Sequence, residues 1–351
     1  MSDKPTTADG YPPELAAEAV GMCLYVATIL AGAIHTPSDP GWHDAKFQVQ
    51  VADIIHHEMI AHLGRTHLAI EPFLIAAFRN LAPSHPLFEL LAPHFRFTAA
   101  INDLATYTLV NKDGIVDHLL SPLLTEDLKL AGAAAQESFA TRSLAADLAA
   151  RGVANEADLP DYPYRDDARL LAAAITDFVT EYVAIYYKTD DDVKNDTELH
   201  GFLAEAATAG RIPGIPVVAD VHALVAFLAQ LIFTAGPHHA AVNYPQYTFL
   251  SSPLIGPWAS FAAAPAFETP SIALAWQQQF ITYVLTAFYP DKLGDYPVGS
   301  FTDPGAAVAA HDFSAALATI EAKITARNAG LPAYRRYEFL LPSRIPNGTS
   351  I

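Results

Sequence analysis

Twelve residues, His56 to His67 (HHEMIAHLGRTH), hold four histidines and one glutamate, and their spacing restricts the helix that can carry them. His57 and His62 are five apart, and so are His62 and His67. Ligand pairs on an α-helix stand at i and i+4, as in the H-E-x-x-H signature of zinc proteases. Here His57-Glu58 leads to His62, giving H-E-x-x-x-H, one residue too long. At 3.6 residues per turn, five steps swing a side chain by about 140°, so neither pair can share a metal on a regular α-helix. On a π-helical turn, with i→i+5 hydrogen bonds, residues five apart stack on one face. The spacing means either nothing or a π turn that aims histidines inward. Density favours the second: His56, His57, His62, His67, His85 and His94 are six of the chain's 14 histidines.

A second signal lies far away in GPHHAAVNYPQY (236–247). His239 and Asn243 are four apart on a predicted helix and share a face. Two imidazoles from one helix, with an imidazole and an amide oxygen from another, make a mixed N/O donor set. Structural zinc prefers closed Cys/His sets, and this chain has a single cysteine, Cys23. Nitrogen-rich sites completed by oxygen, with open positions, suit non-haem iron. A zinc hydrolase built on His57, Glu58 and His62 is the competing reading, disfavoured by the spacing.

The 351 residues are 52% hydrophobic and rich in Ala and Leu, with little β-branched alternation, so a mainly α fold with a large core is expected. A first helix is expected from Pro12 to His35, a loop at 36–42, then a long helix from Trp42 through Ala69. Pro72 opens the next, and 84–105 gives one or two more, broken near Pro93. Further helices are expected at 141–152, 164–187, 197–209, 218–243, 269–288 and 304–328. DDDVKND (190–196) lacks the glycine and terminal glutamate of a calcium loop and reads as a solvated acidic loop. Net charge is −18, from 20 basic and 38 acidic residues, which excludes nucleic acid as a partner. The apolar run Ala19–Ile34 has 16 residues, short of the roughly 20 that span a bilayer, so no transmembrane segment is expected. "AGA" at 31–33 would suit signal cleavage, but the acidic, proline-bearing leader does not. With one cysteine the expected compartment is cytoplasmic, secretion staying open.

The array His57, His62, His67, His85, His94 is similar to the histidine pattern of the lipoxygenase catalytic domain, His-x4-His-x4-His-x17-His-x8-His, without a spacing error. THLAIEPFLIAAFRNL, HPLFELLAPHFRF, INDLA, YPYRDDA, VTEYVAIYY, DVKNDTEL, HAAVNYPQY and the ending LLPSRIPNGTSI resemble the family too, from about Trp42 to Ile351. The resemblance implies a single helical catalytic domain over 1–351 built around a long central helix with a π-helical turn. It has a divergent 1–41 segment and no PLAT/C2-type β-barrel. It implies one non-haem iron per chain, held by His62, His67 and His239, with Asn243 and the main-chain carboxylate of Ile351. His57, His85 and His94 would support the site without touching the metal, while His56 and His238 are incidental.

The reaction implied is insertion of O2 into a polyunsaturated fatty acid with a cis,cis-1,4-pentadiene, giving a hydroperoxide. A ferric-hydroxide centre would take the bis-allylic hydrogen. Gln246 matches the glutamine that ties the asparagine ligand to the substrate cavity. Ala105 matches the position that steers oxygen, and alanine there goes with S products. Leu109, Val116 and Leu285 match apolar residues that pin the pentadiene. Three departures stand out: Glu58 where the family commonly has glutamine, Thr106 in place of a usual arginine, and a short segment before Trp42. The last predicts a partner domain or dimer contact over that side. The alternative is a degenerate lipoxygenase that binds fatty acids without turnover.

Overall fold

The computed structural model describes residues 37–120, 123–254, 256–259 and 270–351; they contain helices and no strand. The helix expected at 12–35 lies outside them. One unbroken helix runs over 42–80, made of an α segment Trp42–Ile55, a π segment His56–His67 and an α segment Leu68–Asn80. The π segment hands over with the Leu68 N–H bonded to the Leu63 carbonyl, an i→i−5 bond. Pro72 sits inside this helix rather than opening a new one. An interior proline forfeits one hydrogen bond, and here tertiary packing holds the helix: the position a Cβ would take at Gly210 is 2.8 Å from the Pro72 Cβ.

The helix Val221–Phe233 likewise continues through a short π segment, Thr234–His238, into His239–Asn243. Asp220 caps its start, accepting from the Ala223 N–H at 2.7 Å. By length and composition Val221–Leu250 could cross a membrane, and two thirds of its most apolar stretch is buried in the protein. Helix Pro163–Tyr186 packs beside it, and Pro304–Ala329 packs in turn on Pro163–Tyr186, their contact marked by Phe178 and Phe313 stacked at 4.7 Å. Phe73, Phe139, Phe202 and Phe227 form an aromatic knot on the other side. These helices form the main core. A smaller apolar cluster, including Ile54, Met59, Leu119, Leu120, Trp258 and Ile281, lies on the far side of the π segment.

Other elements depart from the sequence reading, among them short helices at Ile115–Leu119 and Pro245–Leu250. DDDVKND forms a short helix, Asp190–Asn195, in which Thr189 and Asp192 make a reciprocal cap. Helix Leu124–Ala135 is not expected from the sequence, because the apolar residues it buries are the small Ala131 and Ala134 rather than large ones. Small residues permit a close approach: a Cβ at Gly64 would sit 2.6 Å from the Ala134 Cβ and 2.8 Å from the Ala131 carbonyl oxygen.

Candidate metal centre

The π segment and the second helix bring His62, His67 and His239 together, with one ring nitrogen of each within 4.8 Å of the others. All three are buried. The ring centroids lie 4.8 to 5.5 Å apart, and the Nε2 atoms of His67 and His239 are 3.1 Å apart. Burial, reinforced by His62 and opposed by the Asn102 hydrogen bond, pushes His67 down to about 3. Burial alone takes His62 to about 4, and His239 is held well below the ordinary histidine value. The imidazoles are therefore neutral and offer lone pairs.

Two of the three rings, those of His67 and His62, are oriented from behind. His67 Nδ1 lies 2.9 Å from the Asn102 Oδ1, and Asn102 donates through Nδ2 to Glu71 at 2.9 Å and to the His67 carbonyl at 3.3 Å. With its amide so fixed, Asn102 presents an acceptor, so His67 carries its proton on Nδ1 and turns the Nε2 lone pair toward His239. His62 Nδ1 makes a longer contact, 3.4 Å, with the Glu58 carboxylate, leaving His62 Nε2 buried without a partner. His239 Nδ1 is also buried without a partner. Burial pushes the Glu58 carboxyl up to about 7, against a downward pull from His57.

These features fit a metal. Nitrogens each about 2.1 Å from one ion, at right angles, stand about 3 Å apart. The orphaned, buried Nε2 of His62 is costly unless something completes it. Nitrogen-only protein side chains with no thiolate favour a borderline divalent ion such as iron over structural zinc.

An apolar cavity of about 100 Å³ abuts the histidines and is lined by His62, His67 and Ile351. Ala105, Leu109, Val116 and Leu285 also line it. Glu58, Asn102, Trp258 and Ile281 join them, none of which the sequence reading had given a place in a cavity. Ile351 arrives there because the polar tail is clamped. Asn347 accepts from the Gly294 N–H at 3.1 Å and donates to the Asp295 carbonyl at 3.0 Å. His94 Nδ1 lies 2.8 Å from the Asn347 carbonyl and its Nε2 lies 3.0 Å from the Tyr296 hydroxyl. Thr349 meets Thr98 at 2.7 Å. A Cβ at Gly348 would be 2.5 Å from the His94 carbonyl oxygen, so the tail passes only as glycine.

Asn243 is buried one turn beyond His239. It donates to the Leu285 carbonyl at 2.9 Å, and Gln246 Nε2 donates to its side-chain oxygen at 3.0 Å. His57 stays outside the cluster, its Nε2 2.8 Å from the Val242 carbonyl, bracing one π-bearing helix against the other. His57, Glu58 and His62 do not form a zinc-protease trio. His85 caps the helix Pro86–Leu91 through its ring and pairs with Asp196 at 3.2 Å. Thr106 is exposed and bonds back to the Asp103 carbonyl.

Known proteins carry the same architecture. The lipoxygenase family profile matches residues 24–289. The chain is 38% identical over 338 residues to a linoleate 9/13-lipoxygenase of Pseudomonas aeruginosa, covering 89% of this chain and 48% of that protein. It is 34% identical to an allene oxide synthase-lipoxygenase protein of Plexaura homomalla, over 90% of this chain and 32% of that one. A coral 8R-lipoxygenase structure superposes with a TM-score of 0.82 at 33% identity, covering 91% of this chain and 51% of that chain. A lipoxygenase crystallised with arachidonate gives 0.83, over 90% and 50%. The chain thus spans about half or less of the length of these relatives. Family profile, identity along most of the chain and a shared helical fold agree: this chain belongs to the lipoxygenase family.

Proposed function

We propose that the chain is a non-haem iron dioxygenase that inserts O2 into polyunsaturated fatty acids containing a cis,cis-1,4-pentadiene, producing hydroperoxides. The observation that carries this reading is the convergence of three buried imidazoles, two of which, His62 and His67, line an apolar cavity. His62, His67 and His239 would hold the metal, with Asn243 and the Ile351 carboxylate completing the set. Bound there, iron supplies a one-electron oxidant able to take the weak bis-allylic hydrogen.

The chain's own residues have separate tasks. Asn102 fixes the His67 proton on Nδ1, and Glu58 backs His62. Leu109, Val116, Ile281 and Leu285 offer the pentadiene a dry slot, since burying each methylene stabilises by about 0.8 kcal/mol. Ala105 leaves room for O2 beside that slot, which favours S products. The clamped tail holds Ile351 at the cavity, where its carboxylate would be available to the metal. Among the described residues of the cavity wall, Glu58 is the only charged side chain, which suits a radical that water would quench. Polyunsaturated fatty acid and O2 are accordingly the proposed partners, and the cytoplasm the proposed compartment.

Iron-loaded protein given linoleate should consume oxygen and develop conjugated-diene absorbance. Iron-loaded protein that retains fatty acid without consuming oxygen supports the binding-protein alternative and defeats the dioxygenase reading.

A further inference from the structure

At about 100 Å³ the cavity is small beside the roughly 300–1,000 Å³ that encloses a drug-sized ligand, so the ends of a fatty acid must lie beyond it. One continuation is already present. A second apolar hollow of about 20 Å³ is lined by Phe47, Leu119 and Leu274 among others, room for a single water. Helix Ile272–Thr286 shows how the two hollows are related. Leu274 and Gln278 line the small one, Ile281 and Leu285 the large one, and the spacing puts all four on one face of the helix. Asn243 donates to the Leu285 carbonyl, so Leu285 marks the metal end. The order away from the metal is therefore Leu285, Ile281, Gln278, Leu274, over about 16 Å. Helix 42–80 repeats that order. His62 and Met59 line the large hollow, and Phe47, further from the metal, lines the small one.

Trp258 is the one described residue that lines both hollows. Its side chain is buried and pinned. The indole N–H donates to the Leu250 carbonyl at 3.1 Å. The same carbonyl accepts from Gln278 Nε2 at 2.6 Å, and Gln278 also donates to the Gly256 carbonyl at 2.7 Å. The loop that carries the indole is thus tied to the helix that runs along both hollows. Building on the fatty-acid reading, we propose that Trp258 is a fixed stop at the end of the cavity away from the metal. It sets the longest chain that fits and which pentadiene of that chain meets the metal. Removing the indole joins the two hollows into one track.

Binding of unreactive saturated fatty acids of increasing length to the anaerobic, iron-loaded chain tests this, read by displacement of a fluorescent fatty acid. Affinity should rise about four-fold for each methylene buried and level off at the length the stop allows. In Trp258→Ala the levelling should come at a longer chain, and in Trp258→Phe close to the native length. Leu274→Trp added to Trp258→Ala refills the small hollow and should bring the levelling back. Given arachidonate and O2, Trp258→Ala should oxygenate a different pentadiene from the unaltered chain. Trp258→Leu reads the same shift in smaller measure if the alanine variant loses its helical circular dichroism. An unaltered chain whose affinity climbs evenly through every length overturns the proposal, and so does a levelling point that Trp258→Ala leaves in place. An unaltered chain that binds no fatty acid brings down the fatty-acid reading itself, and the stop with it.

Discussion

The two helices that meet at the site solve one problem in different ways. In helix 42–80 the histidines are five apart, and a 12-residue π segment is needed to put His62 and His67 on one face. In helix 221–243 His239 and Asn243 are four apart on ordinary α-helix, and the five-residue π segment precedes them. There the wider turn accommodates Pro237, whose ring would clash with the preceding turn of a regular α-helix. Ligand spacing is therefore readable only together with the kind of helix that carries it. The support behind the donors differs too: His67 leans on one amide, Asn102, whereas Asn243 is held both by Leu285 and by Gln246.

Substituting the donors should have the largest effect. His62→Ala, His67→Ala and His239→Ala should each abolish stoichiometric metal binding while the helices, read by circular dichroism, persist. A smaller, asymmetric effect is expected from the residues behind them. Asn102→Leu frees the His67 tautomer and should weaken metal binding about 10–100-fold, measured by competition with a chelator. Gln246→Leu should cost less, because Leu285 still orients Asn243; equal losses would erase the asymmetry between the helices.

The tail belongs to neither helix, and its hold is tested by acid. Burial lowers His94 to about 4, so it is neutral when folded and takes up a proton on unfolding below its ordinary value of about 6.5. Its contribution is fully present above about pH 6.5 and is lost as pH falls toward 4, up to about 3 kcal/mol. Denaturant midpoints across that window should decline, and less steeply in His94→Gln.

The two π segments each contain a glycine, and these should differ. Gly64→Ala drives a methyl against Ala134 and a carbonyl and should destabilise by about 1–3 kcal/mol. At Gly236 the nearest atom is 3.1 Å away, and the helical preference for alanine, about 0.5–1 kcal/mol, nearly offsets it. Thermal melts of the two variants make the comparison.

Much of this architecture was legible. Cap and proline signals placed the helices Pro163–Tyr186, Thr197–Thr208 and Pro304–Ala329 within two residues or so, and the five-residue spacing announced the π segment. Pro72 misled because the rule for proline is local, whereas the helix through it is held by packing. Helix Leu124–Ala135 was invisible because small residues leave no apolar periodicity. Asn102 lay in a quoted stretch, INDLA, yet nothing in one sequence says which polar residue faces a ring nitrogen. Helix Ile272–Thr286 was readable as apolar sequence, but which of its faces meets the cavity needed the fold.

The central claim is that His62, His67 and His239 form a single iron centre. Elemental analysis of the anaerobically iron-loaded chain, run beside the His62→Ala chain, tests it most directly. About one iron per chain in the first and none in the second is predicted. Full iron retained by His62→Ala, or stoichiometric zinc in place of iron in both, would contradict it.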